Sequence, residues 1–143
     1  MNDSPTPSPS IVFRVIGAAH EVEARLEGAL DGLGFSLAKF NVLSRLAETG
    51  EPLPLSQLAE RCSCVRSNIT QLVDRLEADR LVERLPDPAD RRSIRAALTD
   101  LGRERHAEAV RIVDATERQV FAGLDEADRK ALTGLLGRLG KEA

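Results

Sequence analysis

Residues 55–76 place two short amphipathic segments almost end to end, and this pairing restricts the fold more than any other feature of the chain. In the first, Leu55, Leu58, Ala59 and Cys62 recur at steps of three, one and three. In the second, Ile69, Leu72, Val73 and Leu76 repeat the same steps. Such spacing gathers four apolar side chains on one face of a 3.6-residue helix. It predicts one helix over about 55–62 and another beginning near Val65, with Ser63 and Cys64 between them. Two short helices joined by so tight a turn form the helix-turn-helix pattern. After Leu81 the period changes. Residues 82–85 and 94–98 read as strands, with Ile94, Ala96 and Leu98 alternating with Arg95 and Ala97. PDPADRRS, residues 86–93, joins them as a hairpin loop longer than a two-residue turn.

The remainder reads as helix. Ile11, Val15, Ala19, Val22, Leu26 and Leu30 predict a helix over about 10–31, ended by Gly32 and Gly34. Ser36 can cap a second helix with Phe40, Leu43, Leu46 and Ala47 inward, stopped by Gly50. Pro52 and Pro54 hold the next connection extended. Thr99 and Asp100 cap a long helix to about 122, with Leu101, Val110, Val113, Val120 and Phe121 as expected buried positions. Asp125 caps a last helix striped by Leu132, Leu135, Leu136 and Leu139. The fold class expected is mainly α with a small β-hairpin wing. Residues 36–99 form a winged helix-turn-helix lobe. Residues 1–9, rich in Ser and Pro, read as a disordered tail. Residues 10–35 and 100–143 carry more apolar stripe than the central block can cover, and read as a helical dimerisation region.

Charge is distributed unevenly. The 143 residues carry a net charge of −3, yet residues 61–95 hold eight basic residues against six acidic ones, and all eight are arginine. Arginine is the better bidentate donor to phosphate and guanine. Two cysteines one residue apart make no disulfide framework and suit a reducing compartment. No apolar run approaches the ~20 residues of a membrane span, and the N-terminus lacks the regions of a signal peptide. A cytoplasmic location and no membrane partner are expected. With no triad, metal spacing or phosphate-binding Gly loop, neither an enzyme nor a bound cofactor is expected.

The second short helix can be tested by geometry. With Ile69, Leu72, Val73 and Leu76 inward, Ser67, Gln71 and Asp74 face outward, and Arg66, Asn68, Thr70 and Arg75 lie on the flanks. Arg pairs with guanine, Asn or Gln with adenine, and Ser or Thr with either. A solvated surface helix would show similar residues; what distinguishes this one is its place before a hairpin. There Arg91 and Arg92 at the tip can enter an adjacent minor groove, and Asp90 can orient them by accepting a guanidinium or backbone N–H. Pro86 and Pro88 limit the loop's conformations. The bland alternative is a solvated turn.

These residues carry a resemblance. The LxxLA opening at Leu55, LVDRLE at 72–77, LVER at 81–84, and Asp90-x-Arg92 followed by Leu98-Thr99 together resemble the winged helix-turn-helix of the MarR family of bacterial transcriptional regulators, over roughly residues 36–102. The resemblance implies an obligate homodimer with interlocking terminal helices and a pseudo-palindromic double-stranded operator. It implies a regulator, in most cases a repressor, released by a small phenolic or other effector bound between the dimer arm and the DNA-binding lobe. It carries major-groove reading to Ser67, Asn68 and Gln71, and minor-groove contact to Arg92. This chain departs from the family pattern at Arg80, where Gly usually ends the recognition helix. Ser63 replaces a frequent turn Gly, and Cys62 and Cys64 replace aliphatic residues.

Those cysteines raise an alternative, a thiol-based redox or metal-responsive regulator acting through Cys62 and Cys64. Against it, free Cys commonly packs as a small hydrophobe. A C-x-C pair with the distant His20 and His106 has no zinc spacing. Either histidine can meet a ligand carboxylate, though a partly exposed helical histidine without a role is the plainer reading. A further alternative is a winged-helix module that binds protein rather than DNA.

Overall fold

The computed structural model describes residues 10–62 and 66–140, without the side chains of Arg66 and Ser67. The expected tail at 1–9, together with Ser63 and Cys64, lies outside the described residues. The elements, in chain order, are α1 (Ile11–Asp31), α2 (Leu37–Thr49), β1 (Leu53–Pro54), α3 (Leu55–Arg61), α4 (Arg66–Ala78), β2 (Val82–Pro86), β3 (Ile94–Leu98), α5 (Asp100–Val120) and α6 (Glu126–Arg138). The hairpin β2–β3 pairs antiparallel from Val82↔Leu98 to Pro86↔Ile94. β1 adds on the other side of β3 through Leu53↔Ala96 and Pro54↔Arg95, giving the order β1-β3-β2. The sequence suggested only an extended connection there. Two residues are too few for a periodic signal, and Pro54 is tolerated because it stands on an edge strand.

Local chemistry places most helix ends. Ser36 Oγ accepts from the Lys39 N–H at 3.1 Å, and Gly50 ends α2 at φ 66°. Asp125 starts α6 with a capping box completed by Asp128. The end of α4 is more instructive. Arg80 adopts φ 63°, the left-handed conformation that favours glycine, although it is not glycine. The Leu81 N–H donates to the Leu76 carbonyl (2.9 Å) and the Arg80 N–H to the Glu77 carbonyl (2.9 Å), the paired bonds of a Schellman ending. Leu76 and Leu81 are both buried, supplying its apolar contact. A β-carbon in this region costs about 1–2 kcal/mol. Arg80→Gly is therefore expected to raise stability by about 0.5–1 kcal/mol after the added unfolded-state freedom of glycine is subtracted. Chemical denaturation measures this as a higher midpoint at unchanged slope.

The core is centred on Val42, Leu43, Leu46, Leu58, Ile69, Val73 and Leu76, contributed by α2, α3 and α4. All four expected α3 positions are buried, Cys62 among them. In α2, Leu43 and Leu46 are buried as expected and Phe40 is half-buried, but Ala47 is exposed and Val42, outside the expected stripe, is buried. In α5 the buried residues are Gly102, Ala109 and Thr116. Leu101 is exposed, and Val110, Val113, Val120 and Phe121 are half-buried. α5 packs against α1 and α2, while Gly102 at its start faces the Leu81 carbonyl and Leu98, where only a residue without a side chain fits. A search for apolar periodicity passes over Gly and Thr. Thr116 settles its hydroxyl by donating to the Ile112 carbonyl at 2.8 Å.

The terminal helices keep apolar surface in the single chain. Ile11, Val12, Phe13, Val15 and Ile16 at the start of α1 are exposed, as are Leu135 and Leu136 on α6 and Leu139 at its C-cap. Of the six expected α1 positions, only Leu30 is fully buried.

Candidate nucleic-acid interface

The recognition surface begins with α4. Ile69, Val73 and Leu76 bury completely and fix the helix's rotation. Asn68, Thr70, Gln71 and Arg75 consequently lie exposed. Asp74, expected to face outward, does so but is not idle: its carboxylate accepts from Arg84 on β2. Arg84 also donates from Nη1 to Glu77 Oε1 at 2.9 Å. Partial burial alone would lower the Arg84 pKa. The hydrogen bond to Asp74 and the charges of Glu77 and Asp74 outweigh it and raise the pKa. Just past the end of α4, Asp79 pairs with Lys39 of α2 at 3.2 Å.

The wing is ordered by its own aspartates. Asp90 Oδ1 accepts from the Arg92 N–H at 2.9 Å, and the Asp90 carbonyl accepts from the Ser93 N–H at 3.0 Å. Asp90 thus orients Arg92 through the backbone, one of the two routes its sequence position allowed. Asp87 repeats the device, accepting from the Ala89 N–H at 2.9 Å while its own N–H donates to the Ser93 carbonyl at 3.2 Å. Arg95 closes the loop's base on Asp87 at 3.2 Å. The Ala89 N–H and the Arg95 charge hold the Asp87 carboxyl below its usual range. Asp90, Arg91 and Arg92 are exposed. Among the described residues, no carboxylate pairs with Arg75, Arg91 or Arg92, whereas Arg84 and Arg95 are both engaged. The exposed polar face of α4 and the unpaired arginines of the tip are contributed by elements joined directly in sequence and packed together.

Sequence reasoning did not find Arg84, Asp87 or Arg95. The only local signal was Asp87 two residues before an exposed backbone N–H, the pattern of an Asx turn.

Residues 35–94 match the MarR family. HTH-type transcriptional regulator PecS of Dickeya dadantii (strain 3937) is 31% identical over 133 residues, covering 89% of this chain and 80% of that protein. The uncharacterized HTH-type transcriptional regulator YkoM of Bacillus subtilis (strain 168) is 35% identical over 107 residues, 75% of this chain and 69% of the relative. The chain belongs to the MarR family. Among solved structures, that of Bordetella bronchiseptica BpsR, described for regulation of its DNA binding by 6-hydroxynicotinic acid, superposes with a TM-score of 0.86 at 25% identity, covering 95% of this chain and 96% of BpsR. The small three-stranded sheet and winged helix-turn-helix architecture are those of the family.

In this MarR-family chain a cavity of about 440 Å³ opens between the end of α2, the sheet and the start of α5. Leu46, Pro52, Leu85 and Leu98 form its apolar walls, with Glu83, Arg103 and His106 as polar members. His106 is half-buried, its Nε2 3.0 Å from Ser44 Oγ and its ring stacked on Phe40 at 5.5 Å. His20 is exposed on α1. Burial lowers the His106 pKa from 6.5, although Glu48 pulls the other way. The unfolded chain therefore takes up that proton at a higher pH than the native state does. Stability is expected to be full above about pH 6.5 and to fall as acidification protonates the unfolded state first. Denaturation midpoints measured across this range should show a shallower acid-side fall in His106→Gln than in the parent chain.

Cys62 lies within the core beside α3, at 8% exposure. Among the described residues no group of His, Cys, Asp or Glu is arranged to hold a metal ion, and no helix is long and apolar enough to cross a membrane.

Proposed function

We propose that the chain is a homodimeric, sequence-specific repressor that binds a pseudo-palindromic duplex and is released by a small-molecule effector. The observation that carries this reading is the pairing of an exposed polar face on α4 with exposed Arg91 and Arg92, which meet no carboxylate among the described residues, on an aspartate-ordered wing. In the proposed complex, Arg66, Ser67, Asn68, Thr70, Gln71 and Arg75 meet the major groove, and Arg92, held by Asp90, enters the minor groove beside Arg91. The exposed apolar residues of α1 and α6 form the dimer seam. The effector occupies the cavity against His106, where it touches β2 and α5 together, so that binding shifts the wing relative to the arm. In this reading the protein works in the cytoplasm and acts by binding and not by catalysis.

The test is selection from a random duplex pool followed by titration of the selected fragment. Affinity is expected to fall steeply and log-linearly with salt as neutralised phosphates release counterions. The recognition helices of the dimer should lie about one DNA turn, ~34–36 Å, apart. Selection of no sequence, and no retention of any duplex at low salt, would overturn the reading and favour a protein-binding module.

A further inference from the structure

The recognition helix has an acidic second half. Asp74 and Glu77 stand on the element that would face a polyanion, Asp79 directly follows it, and each is engaged by a cation from outside the helix. Lys39 of α2 takes Asp79. Arg84 alone takes the other two. It uses one terminal nitrogen for Asp74 and the other for Glu77, which lies one helical turn along. Arg84 belongs to β2, the strand that leads into the wing, and its side chain is largely covered, at 22% exposure. The fork therefore joins the two surfaces that must meet neighbouring grooves at once, the recognition helix and the hairpin.

Resting on the DNA-binding reading above, we infer that Arg84 is a positioning residue: its two-pronged bond to Asp74 and Glu77 sets the wing's placement relative to α4, and so the specificity of DNA recognition. Arg84 touches no base in this account. The planar guanidinium spans both carboxylates at fixed geometry, whereas a lysine ammonium, a point charge on a flexible stem, does not reproduce that fork. Asp74 and Glu77 remain on a DNA-facing helix because the fork needs them, despite their repulsion of phosphate.

This makes an expectation opposite to simple electrostatics. In Asp74→Asn/Glu77→Gln, two negative charges leave the DNA-facing side, and Coulomb attraction alone would strengthen binding. The fork account expects instead that the ratio of affinities for the selected fragment and a scrambled duplex of equal length and composition falls by about tenfold, the scale of one lost charge-assisted contact. Arg84→Lys, which conserves charge, is expected to lower the same ratio by about as much. Both ratios are read by fluorescence anisotropy at a temperature where circular dichroism shows every variant folded, so reduced stability by itself does not move them. An unchanged ratio in both variants, or tighter binding of the selected fragment by the neutralised variant with its ratio intact, overturns the inference.

If the parent chain selects no duplex, the DNA-binding reading fails, and the fork is judged by amide hydrogen exchange of residues 82–98 in the free protein. Faster exchange in Arg84→Lys than in the parent supports a wing held by Arg84; equal exchange overturns it.

Discussion

Gly102→Ala is expected to destabilise the protein by roughly 3 kcal/mol or more, at the upper end of overpacking substitutions. A β-carbon at this position would lie 2.0 Å from the Leu81 carbonyl oxygen, 3.0 Å from its carbon and 3.2 Å from Leu98 Cδ2. The first of these is a backbone atom with little freedom to move. The Leu81 carbonyl accepts from the Thr99 N–H at 3.1 Å, and the Thr99 hydroxyl donates to the Arg80 carbonyl at 2.7 Å. Thr99 Oγ1 in turn accepts from the Gly102 N–H at 2.9 Å and so caps α5. One threonine and one glycine thus lock the end of α4, the end of β3 and the start of α5 into a single junction. Relief of the clash requires α5 to lift away from Leu81 and the sheet, breaking the cap. Thermal and chemical denaturation should both register the loss, and operator affinity should fall with it. Gly123→Ala, where nothing lies within 4 Å, should change stability by no more than about 0.5 kcal/mol. Similar stability for the two variants would show that α5 adjusts to the added carbon at little cost.

Arg92→Ala is expected to weaken operator binding on the order of tenfold per half-site, and so about a hundredfold for a dimer that uses two wings. Arg92 carries an exposed guanidinium and a backbone N–H tied to Asp90. The loop backbone at Arg92 is thus set before DNA arrives, so the ordering entropy lost on binding is mainly that of its side chain. Narrow A·T-rich minor grooves concentrate negative potential, so the loss should be larger for A·T-flanked than for G·C-flanked sites. Anisotropy titrations on paired duplexes differing only in the flanks read the difference directly. Equal losses on both would mean that Arg92 meets phosphate and not the groove floor.

Much of the candidate interface was legible because it depends on local order. The apolar steps of residues 69–76 fix which side of α4 turns inward, and the exposure of Asn68, Gln71 and Arg75 follows from that rotation alone. The wing was legible because the period changes on both sides of a proline-containing loop. What could not be read was which charges find one another. Arg84 reaches Asp74 across ten residues and the whole turn that Arg80 closes, and no spacing rule connects a strand residue to a helix residue through such a turn. Arg80 itself could be flagged as a departure from the family's glycine. Only the backbone angle showed that the helix keeps the usual ending and bears the strain.

The sequence by itself determined the order of the elements, most of the helix caps, the inward face of each short helix and the family. Each of these is written in neighbouring residues through periodicity, capping chemistry and motif. Tertiary structure alone decided the third strand at Leu53–Pro54, the burial of Gly102, Ala109 and Thr116, the stacking of His106 on Phe40 and the fork of Arg84. These depend on how closely two distant segments approach, a distance set by the packing of the whole chain and not by the side chains of either segment alone.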